Sequence, residues 1–260
     1  MAFWGVVAGI YGLTLTAAAL ILPIARRSVA LVACLSYALL AFGIATIDSF
    51  WIQLIVPGGL LLVGYWLSGF FVRDPQPWLE GFLLQSDRVV FERLGADRLL
   101  RRAPHWTLEL LEASYAADYV IVGGGAVLTA LIDRSSVTAY WSIVLTAELA
   151  CYAALPWLRS RPPRAIEGPA VIELRRPALR RLNTAILDNA SVQANTLPSG
   201  HVAGALAAAL ALSALEPAIG GGFAVLAILV GLAAAFCRYH YVVDCVSGAA
   251  VAVLAWLIVA

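Results

Sequence analysis

The sequence predicts an all-α fold, a polytopic membrane helical bundle of about eight transmembrane helices. Two observations lead there. The chain of 260 residues is 62% apolar and only 13% charged, with a mean hydropathy of +0.88. Apolar runs of about twenty residues recur along its whole length, which a bilayer requires and a soluble core does not. The net charge of +1 carries no message about partners; membrane lipids are expected as partners and a nucleic acid is not. Every basic residue apart from the three histidines is arginine. Cys34, Cys151, Cys237 and Cys245 have neither metal-ligand nor paired disulfide spacing, and read as small buried apolar residues.

Taken in order, the first run covers 3–24. It has no basic leader and no small-residue cleavage site, which predicts a retained helix rather than a signal peptide. Arg26 and Arg27 end it, a second run covers 29–46, and a third covers 51–72 with Trp51 and Trp66 suited to the interfaces. The stretch 73–114 interleaves charge with Leu and Phe at three- and four-residue steps and is broken at Pro104. It predicts short amphipathic helices lying on the membrane, either a platform at the entrance to a lipid site or a plain connector. Runs 115–132 and 137–158 follow. Glu148, inside the second, could serve a proton path or position an arginine, or else stay protonated against a neighbouring helix, the reading preferred here. A polar loop to Leu197 carries Arg175, Arg176, Arg180 and Arg181, a solvated loop or a seat for an anionic head group. The last three runs are 198–215, 223–237 and 241–258, with Glu216-Pro217 and the Gly220–Gly222 run expected to form a turn.

Two polar islands stand out against this background: Asn195-Thr-Leu-Pro-Ser-Gly-His201 and Arg238-Tyr-His240, followed by Asp244. Ser199 and Gly200 sit where a helix begins, and a first turn offers unpaired N–H groups and partial positive charge to an anion. His240 and Asp244 are four residues apart, hence on one helical face. Two imidazoles and a carboxylate can move a phosphoryl group through a histidine intermediate. A helix cap beside two satisfied histidines is the plainer alternative. Eight spans, with loops alternating between two sides, place Arg164, His201, Arg238, His240 and Asp244 on the same side.

The two islands resemble the second and third motifs of the type 2 phosphatidic acid phosphatase (PAP2) superfamily. The resemblance implies a six-helix membrane core over 49–260, with 1–48 an additional N-terminal helix pair and 73–114 an interfacial segment of the catalytic part. It implies that His240 is the nucleophile, Asp244 its orienting carboxylate, and His201 the acid and then the base. Phosphate oxygens would be held by Ser199 and Gly200 together with arginines. The family's first motif ends in Arg-Pro, which Arg161-Pro162 matches, but Ala154 stands where its lysine would be. Pro162-Pro-Arg164 resembles a variant of that ending, so Arg164 is the preferred phosphate ligand and Arg161 the second. Ala233-Ala234 replace the usual Ser-Arg before the third motif, and Arg238 is expected to supply that charge. No metal and no other cofactor is implied, because histidine and arginine do what a metal would otherwise do.

The expected activity is hydrolysis of a lipid phosphate or polyprenyl (pyro)phosphate in the membrane. Alternatives are transfer of the phospho-head group to an alcohol, or anion or lipid binding without chemistry. Assigning the loops puts sixteen arginines on the site's side and one, Arg134, on the other. The positive-inside rule then favours a cytoplasmic site, whereas the resemblance to bacterial enzymes favours the outer face of a cytoplasmic membrane. The side stays open.

Overall fold

The structure is a computed structural model that describes residues 1–167, 174, 175 and 177–259. Among these residues it contains eleven α-helices and no strand. We number them α1 (Phe3–Ile21), α2 (Arg27–Ile44), α3 (Phe50–Ser68), α4 (Pro77–Arg88), α5 (Ala96–Arg102), α6 (His105–Ile132), α7 (Val137–Ala153), α8 (Ala178–Ala190), α9 (Gly200–Leu215), α10 (Pro217–Phe236) and α11 (Val242–Val259). A 3-10 turn prolongs α3 through Phe71. Each of the eight expected spans is a helix, and six are long and apolar enough to cross a bilayer: α1, α2, α3 with its extension, α6, α10 and α11.

The other two, α7 and α9, have 17 and 16 residues and lie at the centre. Helix α9 is alanine-rich and buried along most of its length, packing on α6, α7, α10 and α11. Small side chains let these helices approach closely, the usual way to gain dispersion contact where lipid offers no hydrophobic drive. The N-terminal pair shares this core. Helix α1 packs on α3 and α7, Trp4 donates to Gln53 Oε1 at 2.6 Å, and Tyr11 donates to the Gly64 carbonyl at 2.7 Å. All four cysteines are buried and unpaired.

Contacts between helix ends follow the alternation of loops. On one side, Ala2 N–H meets the Ala45 carbonyl at 2.9 Å and Arg134 lies over the Phe50 ring. On the opposite side, Arg73 reaches the Pro23 carbonyl and Gln76 N–H donates to the Arg159 carbonyl at 2.9 Å.

Four boundaries differ from expectation. The interfacial stretch ends at Pro104, because α6 starts at His105 rather than 115. At 28 residues α6 is about 42 Å long, well beyond the roughly 30 Å hydrocarbon layer. Its charged first turns therefore continue past the bilayer and pack against α8. Helix α7 ends at Ala153, followed by turns rather than a span to 158. Gly220–Gly222 form no turn. They lie inside α10, whose Pro217 occupies the first turn with Glu216 extended before it. Helix α8, within the expected polar loop, was not anticipated. It buries Arg180, Asn183 and Leu187 and leaves most of its other residues exposed.

Candidate active site

Two chain reversals build the site. At the first, Ser199 caps α9: its Oγ accepts from Val202 N–H at 3.5 Å. Ser199 N–H donates to the Asp244 carbonyl at 3.0 Å, fastening the start of α9 to the first turn of α11. The approach is so close that a Cβ on Gly248 would lie 2.5 Å from the Ser199 carbonyl oxygen. At the second reversal α10 ends by folding back, and Tyr239 and His240 N–H groups both donate to the Ala234 carbonyl at 2.9 Å. Arg238 absorbs the turn in the left-handed region with φ of 62°.

These reversals bring His201 and His240 face to edge, with ring centroids 5.7 Å apart and planes at 72°. His240 Nδ1 lies 3.5 Å from Asp244 Oδ2 without a hydrogen bond between them, and that oxygen accepts from Tyr241 N–H at 2.9 Å. Burial pushes the His240 pKa well below the ordinary histidine value, and the neighbouring His201 and Arg164 push the same way. His201 Nδ1 lies 2.6 Å from Asp118 Oδ2, and its ring is flanked edge-on by Tyr115 and Tyr119. Asp118, Tyr115 and Tyr119 belong to α6, and nothing in the local sequence marks them as partners of a residue more than eighty positions away. The signal within reach was the spacing of Tyr115 and Asp118 with Leu108, Leu111 and Glu112, which forms one buried stripe along α6.

Arg164 enters from a short 3-10 turn at Pro163–Ala165. The loop is drawn in by an isolated bridge between Ser160 and Asn195 and by Arg164 N–H donating to the Arg238 carbonyl at 3.2 Å. Its guanidinium donates to the Tyr239 carbonyl at 3.3 Å, and Arg164, Gly200, His201 and His240 line one small cleft of about 40 Å³. The other sequence-predicted phosphate ligands are placed elsewhere. Arg161 forms a two-pronged pair with Glu80 of α4, both contacts at 2.9 Å, and that pairing holds the Glu80 carboxyl below its usual range despite partial burial. Arg238 is buried and binds Asp87 of α4 at 2.5 Å and Glu167, with its guanidinium over the Phe91 ring. Neither lines the cleft, because carboxylates from the interfacial segment and its neighbourhood take both charges. Ser199 is fully buried and occupied as a cap, so Gly200 is the cleft-lining member of that pair.

Around the cleft, α6 ties both histidines to one scaffold. Tyr115 stacks on Tyr239 at 3.8 Å, and Tyr239 Oη donates to Glu112 at 2.6 Å. Glu112 also receives Arg180 at 3.2 Å and Asn183 at 2.7 Å, so Arg180 is part of the framework. Arg175 caps the end of α5 through the Arg101 and Ala103 carbonyls, Arg181 is exposed in a groove shared with Arg164, and Arg176 lies outside the described residues. Glu148 accepts from Tyr152 Oη at 2.8 Å, a partner one turn along its own helix rather than on a neighbour. Adjoining the cleft and sharing Tyr65, Tyr152 and His201 with it, a mainly apolar cavity of about 220 Å³ opens between α3, α6, α7 and α8, walled by Leu61, Leu62, Trp66 and Val122, with Asp118 and Glu148 also in its lining. Leu62 and Trp66 are exposed on the surface of the bundle. Among the described residues no three or more His, Cys, Asp or Glu side chains converge so as to hold a metal ion.

The model of the PAP2 superfamily matches residues 137–260, the stretch that carries Arg164, His201, His240 and Asp244. Over this stretch the chain is similar to the PAP2 superfamily. No curated protein and no solved structure matches the chain.

Proposed function

We propose that this protein is a lipid phosphatase that hydrolyses a lipid phosphate or polyprenyl (pyro)phosphate through a phosphohistidine intermediate. The observation that carries the reading is the facing of His201 and His240 across one cleft, 5.7 Å between ring centroids, with Arg164 in its wall. The phosphate sits against Arg164 and the free N–H groups at the start of α9, which stabilise the charge that grows on its oxygens. Asp244 beside Nδ1 leaves Nε2 of His240 as the attacking atom. Its lone pair forms the N–P bond while the P–O bond to the lipid breaks, and the departing oxygen takes a proton from His201. Water then attacks phosphorus, gives its proton to His201, and the N–P bond breaks to release phosphate and restore His240. The low pKa of His240 favours this chemistry, because a neutral imidazole has the lone pair the attack needs. The mainly apolar cavity beside His201 supports a lipid leaving group rather than a water-soluble one.

The test is phosphate release from a panel of lipid phosphates and a polyprenyl pyrophosphate in detergent, with wild type, His201→Ala and His240→Ala. Release by wild type that is lost in His240→Ala, with the fold intact, supports the reading. Release unaffected by His240→Ala, or none from any substrate, sinks it. Adding an acceptor alcohol separates the two chemistries: a phosphorylated alcohol in place of free phosphate would make the protein a transferase.

A further inference from the structure

We propose that Asp118 is the positioning carboxylate of His201, so that the site works with two histidine–carboxylate pairs, His240 with Asp244 and His201 with Asp118. The inference rests on the assignment of His201 as proton donor and acceptor in the proposed reaction. It is carried by the geometry around the ring. Asp118 Oδ2 approaches Nδ1 at 2.6 Å, closer than the 3.5 Å between His240 and Asp244. The Asp118 side chain is almost entirely buried, and its other oxygen meets no partner among the described residues, so within them its carboxylate hydrogen-bonds to His201 alone. Tyr115 and Tyr119, three residues before and one after it, hold the ring edge-on from the same helix.

Electrostatics explains why His201 needs such a partner. It stands on the first turn of α9, where the helix end carries partial positive charge, and it shares the cleft with Arg164. Both oppose the protonated imidazole that must be present before the lipid oxygen departs. A carboxylate against Nδ1 offsets them and fixes the ring so that Nε2 faces the reaction. In the first step Nε2–H passes its proton to the lipid alkoxide and Nδ1–H stays on the nitrogen, donating to Asp118. In the second, Nε2 takes the proton of the attacking water. Asp118 orients the ring and never touches the substrate. Glu148 lines the same cavity, but its hydrogen bond is with Tyr152. The assignment therefore falls on Asp118.

The experiment compares two substrates that differ in their need for a proton donor. A long-chain alkyl phosphate must have its leaving oxygen protonated, whereas a nitrophenyl phosphate releases a stable phenolate without help. Purified wild type, Asp118→Asn, Asp118→Glu and His240→Ala are mixed rapidly with each substrate in detergent, and the first-turnover release of alcohol or phenolate is followed. Asp118→Asn is expected to slow alcohol release about 100-fold, the scale of general acid catalysis, while changing the phenolate burst less than about 10-fold. Asp118→Glu, which keeps the charge, is expected to recover part of the alcohol release. Equal losses on both substrates, or no loss on either, would overturn the role of Asp118. Should Asp118→Asn fail to give a monodisperse protein, the Asp118→Glu substrate ratio decides alone: a normal ratio with a uniformly reduced rate overturns the proposal, and a raised dependence on leaving group supports it. A phenolate burst that survives in His240→Ala would instead overturn the phosphatase reading itself, whatever Asp118 does.

Discussion

Replacing Gly248 with alanine tests whether the contact between α9 and α11 sets the site. The added Cβ would lie 2.5 Å from the Ser199 carbonyl oxygen and 3.3 Å from two further Ser199 backbone atoms, against 3.4 Å or more for ordinary contact. That carbonyl cannot swing aside, because it accepts the first intrahelical bond of α9 from Ala203 N–H at 3.1 Å. The helices must therefore part by up to about 1 Å, at an overpacking cost of about 1–3 kcal/mol. Parting also strains the Ser199 N–H bond to the Asp244 carbonyl, worth about 1 kcal/mol. His201 rides on α9 and Asp244 on α11, and a displacement of about 1 Å between reacting groups can cost on the order of 100-fold in rate. Thermal unfolding in detergent and phosphate release from a lipid phosphate are the two readouts. Gly222→Ala is the control, since a Cβ there meets no atom within 4 Å. We expect Gly248→Ala to lose both stability and turnover and Gly222→Ala to keep both. A Gly248→Ala protein matching wild type in both would refute the argument that this contact holds the two histidines in register.

Three further outcomes are expected. Arg238→Ala strands the buried Asp87 without its cation and should cost about 3–5 kcal/mol of stability, measured by thermal or denaturant unfolding; Arg238→Gly, which accepts the φ of 62°, should be about 1 kcal/mol less damaging than the alanine. A phosphate ligand there would instead lose turnover with stability unchanged. Arg164→Ala should lower phosphate release by about 100- to 1,000-fold while leaving the unfolding temperature near that of wild type. His240 has a folded pKa well below its ordinary value of 6.5, so it stays neutral as the pH falls through 6.5 while the unfolded chain gains a proton. Its share of stability is thus full above that value and is lost progressively below it. Removing this contribution in His240→Ala should flatten the fall of unfolding temperature between neutral and mildly acid pH, and an unchanged slope would contradict the low pKa.

The sequence by itself determined the helical membrane class, the start of α9 at Gly200 behind a Ser199 cap, and the nearness of His240 to Asp244 one turn on. These depend on hydropathy over one span, on an end-cap three residues long, or on a single helical turn, all legible within a short window. Where the window misled, a longer-range constraint had prevailed. Gly220–Gly222 read as a turn, yet a backbone leaving the helix in a bilayer would lose hydrogen bonds it cannot replace, so α10 runs through them. The start of α6 was obscured because charges at Glu109 and Glu112 resemble an interfacial helix, whereas Glu112 is buried against Arg180, Asn183 and Tyr239. Only the tertiary structure decided which arginine reaches the cleft and which carboxylate meets His201. Arg161, Arg164 and Arg238 are chemically alike and close in sequence or motif. Glu80 and Asp87 of α4, together with Glu167, take two of them, and Arg164 is left facing the histidines. Asp118 is 83 residues from its imidazole. Charge pairing depends on distance in space, and that distance is set by the packing of whole helices, which no local stretch of sequence records.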